Sequence, residues 1–382
     1  MKIQIVSDGY PTKEYPLNGV FAFDQAKALK DYGHEILFVS IDLRSIRRKR
    51  KFGEYWTSKD NIDIVDYSIP LGNFPNSIML FFGKFALRRI RKNILTEFGK
   101  PDVIHAHFIS NGNIAILLKR YFQVPLVLTE HSSSVNKENL SLRTLRLGQK
   151  TYTKVNQVIC VSQKLSERLE QHWGIKSRVV PNIVDTSLFS YGKHKSDIEN
   201  KFVFISVGNL NYNKGFDILI KAFKNCEFDS SVILKIIGQG ELYNQLNEEI
   251  QNLGLSGQIK LLGFMDRDSI AKEMNQSNAF VLASRSETFG VVYIEALASG
   301  LPVIGTNCGG PEDYVNEENG ILVEINNVDE LSEALLTMYR KIDYYDGEEI
   351  AKKCKDTFSP DKIATQLTEI YLNTKKEATK QY

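Results

Sequence analysis

The sequence predicts an α/β chain of two doubly wound parallel-sheet domains facing a central cleft. Three observations lead there. Short apolar runs alternate with helix-period segments through both halves of the 382 residues, as in parallel strands joined by crossover helices. A polar stretch at 186–200, carrying Lys, Asp, Ser and Gly, interrupts that alternation and reads as a linker. The length suits two domains of ordinary size, each with its own core.

In the first domain, 1–185, the apolar runs place strands at 2–6, 35–40, 62–67, 103–107, 126–129 and 157–161. Helices are expected near 21–32, 78–98, 113–121 and 140–154, between those runs. In the second domain, 201–358, strands are expected at 201–207, 232–237, 259–262, 279–282, 303–305 and 320–323. Helices there fall at 216–223, near 269–274 and at 291–299, and a last helix covers about 360–373. Sheets of this kind bind ligands at the carboxyl ends of their strands.

Composition narrows the function classes. Hydrophobic content of 42% and charged content of 25% are globular values. The net charge of +2 hides an asymmetry: residues 1–185 carry 28 Lys+Arg against 17 Asp+Glu, the remainder 20 against 29. A basic half joined to an acidic half implies different partners for each, the basic half facing something anionic. Cys160, Cys226, Cys308 and Cys354 are scattered without a C-x-x-C, which fits a reducing cytosol and no zinc or disulfide framework. Residues 1–8 are too short an apolar run for a signal peptide, and no window supplies the roughly 18 apolar residues of a spanning helix. No G-x-G-x-x-G follows the first strand, and there is no phosphate-loop lysine motif. Nucleic-acid binding would rest on basic charge alone, without a recognised module.

The most informative segment is 286–300, in which Glu287 and Glu295 stand eight positions apart. It reads as a loop opening into a helix. Gly290 lets the backbone approach a ligand, and the N–H groups of Thr288, Phe289, Gly290 and Val291 would point out of the helix start, an anion site. Glu287 sits beside that site. Glu295 is expected about two turns on, roughly 12 Å at 1.5 Å per residue. A diphosphate at the helix start, with a sugar at each glutamate, would use every part. The bland alternative is two solvated glutamates on a surface helix.

This segment resembles the E-x7-E motif of the retaining GT-B glycosyltransferases of family GT4, also called glycosyltransferase group 1. The likeness extends to 179–189, to 300–315 with Asn319-Gly320, and to strands at 101–107 and 158–162. It implies the GT-B fold of two Rossmann-like domains, the second holding a nucleotide-diphosphate sugar and the first an acceptor. It also implies that the final helix (359–382 with its tail) crosses back to the first domain, where the residues alone allow a simple capping helix.

Individual residues follow. Lys214 lies between a strand and a helix, where a lysine reaches phosphates held at a neighbouring helix start; alone it could equally be solvated. The resemblance assigns it to the donor diphosphate. The family's usual basic residue after the strand glycine is here Asn209, so one charge partner is missing. His131 follows the strand-like run 126–130, and the resemblance places it beside the reaction centre. Glu130 is a weaker acceptor-side candidate. His105 and His107 share one strand face; without a third ligand a structural reading is better than a metal, though His107 could border the acceptor. Gly19 follows the first strand at a place where the family touches both ligands. Gly238, Gly240, Gly263 and Phe264 would line the nucleotide base pocket. Asp266-Arg-Asp268 superficially resembles a D-x-D metal motif but reads better as a helix cap. No essential metal and no other cofactor is expected.

Three basic sets complete the picture: Arg44 with Arg47 to Lys51, then Lys84 to Lys92, then Arg143 to Lys154. They suggest an anionic membrane surface as partner, placing the protein in the cytoplasm on the membrane's inner face. The expectation is a retaining transferase. It would move a hexose or N-acetylhexosamine, from a UDP-sugar by preference, to a saccharide or lipid-linked acceptor in cell-surface polysaccharide or glycolipid synthesis. The alternatives are a GT-B sugar-nucleotide epimerase and a non-catalytic nucleotide-sugar or membrane-binding protein, the latter motivated by Asn209.

Overall fold

A computed structural model describes residues 1–45, 47, 51–72, 74–192 and 201–379. The expected linker therefore lies partly, and Arg48, Lys49 and Arg50 wholly, outside the described residues. The chain divides into two compact units, Met1–Ile183 with Pro360–Tyr382, and Val184–Ser359.

The first unit runs β1 (Lys2–Ser7), α1 (Val20–Asp31), β2 (Glu35–Asp42), β3 (Gly53–Lys59), β4 (Ile62–Ser68), α2 (Asn76–Glu97), β5 (Val103–His107), α3 (Ile109–Phe122), β6 (Leu126–Glu130), α4 (Leu142–Tyr152), β7 (Gln157–Cys160), α5 (Gln163–Trp173) and β8 (Arg178–Val179). Its sheet order is β3-β4-β2-β1-β5-β6-β7-β8, parallel except for β3 against β4. The central strands are continuous apolar runs because helices cover both faces. The switch of direction falls between β1 and β5.

The second unit runs β9 (Phe202–Val207), α6 (Phe216–Asn225), β10 (Val232–Ile237), α7 (Tyr243–Asn252), β11 (Ile259–Gly263), α8 (Arg267–Asn275), β12 (Ala279–Val281), α9 (Val291–Ala298), β13 (Val303–Thr306), β14 (Gly320–Val323), α10 (Val328–Arg340) and α11 (Gly347–Phe358). Its sheet is parallel throughout, in the order β11-β10-β9-β12-β13-β14. Here the switch point lies between β9 and β12.

The last helix, α12 (Pro360–Thr379), belongs to the first unit. It buries Ile363, Leu367 and Tyr371 in the core beside α1 and β1, each such side chain worth about 1.5–3 kcal/mol of transfer free energy. The Tyr371 hydroxyl also reaches His105 Nδ1 at 2.7 Å. α12 runs six residues past the expected end at 373.

Three other departures have local causes. Strand β3 was not expected, because its side chains are half-buried or exposed and lack a buried alternation. It is held by a two-residue hairpin at Asp60-Asn61, both with positive φ (49° and 59°), as a type I′ turn requires. Helix α3 begins at Ile109 rather than near 113. Asn111, Gly112 and Asn113 look like breakers, yet Asn111 Nδ2 donates to the His107 carbonyl and Asn113 Nδ2 to Thr151 Oγ1. A Cβ on Gly112 would stand 2.9 Å from Leu128, so glycine lets the helix settle on β6. The expected helix and strand list also lacked α5, α7, α10, α11 and β8; Ser162 starts α5 by accepting from the Leu165 N–H.

Candidate active site

In the second unit, the loops at the carboxyl ends of β9 and β12 flank the switch point. After β9 the chain makes a single 3-10 turn, Tyr212–Lys214, closed by Gly215 at φ 65°. A Cβ on Gly215 would lie 1.9 Å from the Ala283 carbonyl oxygen, so only glycine lets this turn press against the loop after β12. That approach brings Lys214 Nζ within 2.5 Å of Glu287 Oε1. The same oxygen accepts from Ser284 Oγ at 2.7 Å. Both charged side chains are mostly covered, 19% and 10% exposed. The pair therefore sits in a partly dry setting, where charge interactions are stronger than in water.

The Glu287 backbone is pinned as well. Its N–H donates to the Cys308 carbonyl at 3.1 Å, and its carbonyl accepts from Gly310 N at 3.0 Å. Arg285 ties the two loops together. Its guanidinium makes a forked pair with Asp217 at 3.0 and 2.7 Å, donates to the Tyr212 carbonyl and lies over the Tyr212 ring. Burial pushes the Asp217 carboxyl up, but the Arg285 bonds outweigh it and hold it below the usual range.

Helix α9 starts at Val291, after Gly290 at φ 87°. The Tyr314 hydroxyl faces the carbonyls of Phe289 and Gly290 at 2.7 and 3.1 Å. The first N–H groups of α9, that of Val291 among them, have no partner within the helix. The Phe289 side chain packs inward against Tyr314 and Phe358, so only its backbone can face a ligand. Thr288 is half-exposed. Glu287 lies outside the helix, in a bridge with Gly309. This corrects the expected spacing: Glu295 is one turn into α9, about 6 Å from its start at 1.5 Å per residue, rather than two turns.

Glu295 faces Arg267 at 3.2 Å, and Arg267 lies over the Phe189 ring. Asp266 caps α8 by accepting from Ser269 N at 2.8 Å. Gly238 and Gly240 pack backbone on backbone: a Cβ would stand 1.9 Å from the Gly208 carbonyl oxygen and 2.3 Å from that of Leu210. Gly263 has open space, and Phe264 beside it is 51% exposed. Asn209 is exposed at the end of β9.

In the first unit, His131 follows β6 and its ring is stacked between neighbours. Phe21, from the first turn of α1, lies 5.9 Å away at 15°, and the His107 ring 5.2 Å away at 19°. His131 Nε2 and His107 Nδ1 are 3.0 Å apart and share one proton. Burial holds both rings neutral: the His131 pKa falls to about 3, against a smaller upward pull from Asn182, and that of His107 falls well below its usual value.

Glu130 and His107 are fully buried. Glu130 accepts from the backbone N–H of His131 and Ser132 at 3.1 and 3.0 Å, and from the Tyr152 hydroxyl at 2.8 Å. Burial raises its pKa despite these bonds. Both expected acceptor-side residues, His107 and Glu130, are thus buried against His131, one at its ring and the other at its backbone N–H. His105 bonds Thr129 at 2.7 Å and Tyr371 on α12, a structural role. Gly19 caps α1 at φ 63°, and a Cβ there would lie 2.0 Å from the Gly9 carbonyl oxygen. Phe108, at the start of α3, holds a positive φ of 68°, strained for a phenylalanine, and its ring meets His131 at 5.1 Å. A cavity of about 560 Å³ opens beside these residues, lined by Arg44, Phe108, Asn111 and Ser132 among others.

Sequence reasoning missed Arg267, Arg285, Asp217 and Ser284. Ser284 and Arg285 stand three and two residues before Glu287, and Arg267 lies within Asp266-Arg-Asp268, but nothing local marked any of them. The ion pairs join residues 28 and 68 positions apart, which no local pattern reveals.

Two Rossmann-like units with a phosphate-compatible helix start and an E-x7-E pair define a GT-B glycosyltransferase. The profile described as Glycosyltransferase Family 4 matches residues 19–188, and that described as Glycosyl transferases group 1 matches 192–349. An uncharacterized glycosyltransferase of Methanocaldococcus jannaschii is 32% identical over 291 residues, 74% of this chain and 78% of that one. The N-acetyl-alpha-D-glucosaminyl L-malate synthase of Bacillus anthracis is 24% identical over 97% of each chain. The Anabaena protein HepE, solved in complex with UDP and glucose, superposes with a TM-score of 0.75 at 21% identity, over 98% of this chain and 100% of that one. The chain belongs to the group 1, family 4 glycosyltransferases.

Proposed function

We propose that this glycosyltransferase is a retaining enzyme that moves a hexose or N-acetylhexosamine from a UDP-sugar to a saccharide or lipid-linked acceptor. The observation that carries the reading is the Lys214–Glu287 pair across the β9/β12 switch point, beside the start of α9. A lysine ammonium has three donors, so Lys214 can hold Glu287 and a diphosphate oxygen together. The Gly290 and Val291 N–H groups add donors to the same oxygens. Charge that builds on the departing diphosphate is stabilised there by groups already in place. Glu287 binds hydroxyls of the transferred sugar, and Glu295 the ribose hydroxyls. Phe264 offers its ring to the base, with Gly263, Gly238 and Gly240 leaving room.

In the first unit, neutral His131 accepts or donates one hydrogen bond at the acceptor, its tautomer set by His107. Asn209 supplies an uncharged donor at the end of β9. The bond from anomeric carbon to diphosphate breaks, and the bond to an acceptor oxygen forms on the same face. The leaving diphosphate oxygen takes the electron pair and, on that same face, accepts the proton that the acceptor hydroxyl gives up.

UDP is favoured because a full-length structural neighbour holds UDP and glucose. The reading needs no metal, since Lys214 and the helix start supply the positive charge. Among the described residues no helix is long and apolar enough to cross a membrane. The basic first unit supports peripheral attachment to the inner face of a membrane, in cell-surface polysaccharide or glycolipid synthesis.

The test is nucleotide release from UDP-, GDP- and ADP-sugars, with and without saccharide and lipid-linked acceptors, followed by proton NMR of the first product formed. Acceptor-dependent release of UDP with an α product from an α-linked donor supports the reading. An inverted product, or donor consumed without an acceptor product, contradicts it.

A further inference from the structure

Helices α2, α3 and α4 enclose a groove of about 990 Å³ on the first unit. Its chemistry is one-sided. From α2 come Lys84, Arg88 and Arg91, at i, i+4 and i+7 on one helix face. Helix α4 adds Arg143, Arg146 and Lys150 at i, i+3 and i+7. Arg120 of α3 and Lys154 close the ring. Among the described residues no Asp or Glu lines the groove, and no ion pair there involves any of these cations.

The cations crowd one another. Burial, then Lys154, Arg88, Lys150 and Arg120, hold the Lys84 pKa below its usual value. Arg91 rests on the Tyr121 ring at 4.6 Å, and its buried Nε has no hydrogen-bond partner.

The floor between the cationic walls is apolar: Leu80, Ile116, Leu117 and Leu147. Phe81, which also lines the groove, is 61% exposed. The groove shares Asn76, Leu80, Arg143 and Leu147 with the cavity beside Phe108 and Ser132, so the two abut there. A free phosphate would use the walls and leave the floor wet. A hydrocarbon would use the floor and leave the cations unmatched. A ligand with both parts matches the whole groove.

We propose that this groove binds a phosphate-bearing lipid, its phosphates on the α2 and α4 cations and its hydrocarbon chain on the apolar floor. The lipid is either a membrane phospholipid or the phosphate end of a lipid-linked acceptor whose saccharide enters the adjoining cavity. Only the acceptor role rests on the transferase reading; the binding does not.

Calorimetry on the full chain tests this with four soluble probes: farnesyl diphosphate, short-chain phosphatidylglycerol, inorganic diphosphate and farnesol. One of the first two should bind at one per chain, at least tenfold tighter than diphosphate or farnesol. Farnesyl diphosphate as the tighter ligand points to an isoprenoid-linked acceptor, phosphatidylglycerol to the membrane; both support the site. Binding should fall at least tenfold in R143E/R146E/K150E with an unchanged Tm, and should persist in Lys214→Ala, which removes only the second unit's phosphate partner. Leu117→Gln, which keeps every charge, should weaken the lipid and leave diphosphate unchanged. Equal affinity for lipid and diphosphate, survival in a folded triple variant, indifference to Leu117→Gln, or loss in Lys214→Ala would each overturn the proposal.

Discussion

Gly215 passes so close to Ala283 that a Cβ on it would meet the Ala283 carbonyl oxygen at 1.9 Å. This contact seats the Lys214 turn against the loop that carries Glu287. Replacing Gly215 with Ala forces either a left-handed alanine, at about 1–2 kcal/mol, or a shift of the turn. Overpacking adds about 1–3 kcal/mol. Chemical denaturation should show Gly215→Ala destabilised by about 2–5 kcal/mol, with Gly257→Ala, which has open space at its Cβ, close to wild type. Equal stability of the two variants would mean that the turn is not tightly seated.

Arg285 tests the same seating from its charged side. Its fork on Asp217 and its bond to the Tyr212 carbonyl fix the turn. Arg285→Ala should lower kcat/KM by about 10–100-fold, the usual cost of a small misplacement. Arg285→Lys should recover little, because an ammonium lacks the planar fork. Steady-state kinetics of both variants decide it, and full activity of the lysine variant would assign Arg285 a mere charge role.

Glu287→Gln keeps the size but removes the charge and turns one acceptor oxygen into a donor. With the carboxylate placed on the transferred sugar, kcat should drop by about 10²–10³-fold, as when one preorganised electrostatic contact is lost. UDP affinity, which depends on the phosphate and base contacts, should change little. A large loss of UDP binding with kcat unaltered would place Glu287 on the nucleotide instead.

Acid should destabilise the first unit through its buried histidines. The His105 and His131 pKa values are depressed by burial to about 3, while an unfolded histidine titrates near 6.5. Between those values the unfolded chain binds the extra protons, so this contribution is present above about 6.5 and is lost as pH falls. Asp66, raised by burial to about 6, and buried Glu130 act in the opposite sense. The clean comparison is therefore wild type against His105→Gln. The variant should be less stable at neutral pH, and its denaturation midpoint should fall less between pH 7 and pH 4.5. Parallel pH profiles would mean that His105 is not buried neutral.

The fold was legible because its central strands are apolar runs and its helices have clear period. The loop–helix–strand succession around Lys214 and around Gly290 was legible too, though not the distance from Glu295 to its helix start. What escaped depended on tertiary partners. The Arg285–Asp217 and Arg267–Glu295 pairs join segments far apart in sequence. Helix α3 begins early because Asn111 and Asn113 find partners supplied only by the folded sheet and α4. The burial of Glu130 and His107 against His131 reflects how β5 and β6 sit side by side, a pairing that no local pattern reveals. Strand β3 had a signal, Asp60-Asn61, that went unused because the flanking strand lacks a buried alternation.

The measurement that bears most directly on the account is UDP affinity in wild type and Lys214→Ala, paired with turnover of a UDP-sugar. If Lys214 holds the donor diphosphate at the switch point, the variant should bind UDP about tenfold or more weakly, a charge-assisted contact being worth about 1.5–3 kcal/mol. Its kcat should fall further than its binding, because charge on the diphosphate grows as the bond breaks. UDP affinity and turnover both unchanged in a folded Lys214→Ala would contradict the placement of the donor between β9 and β12.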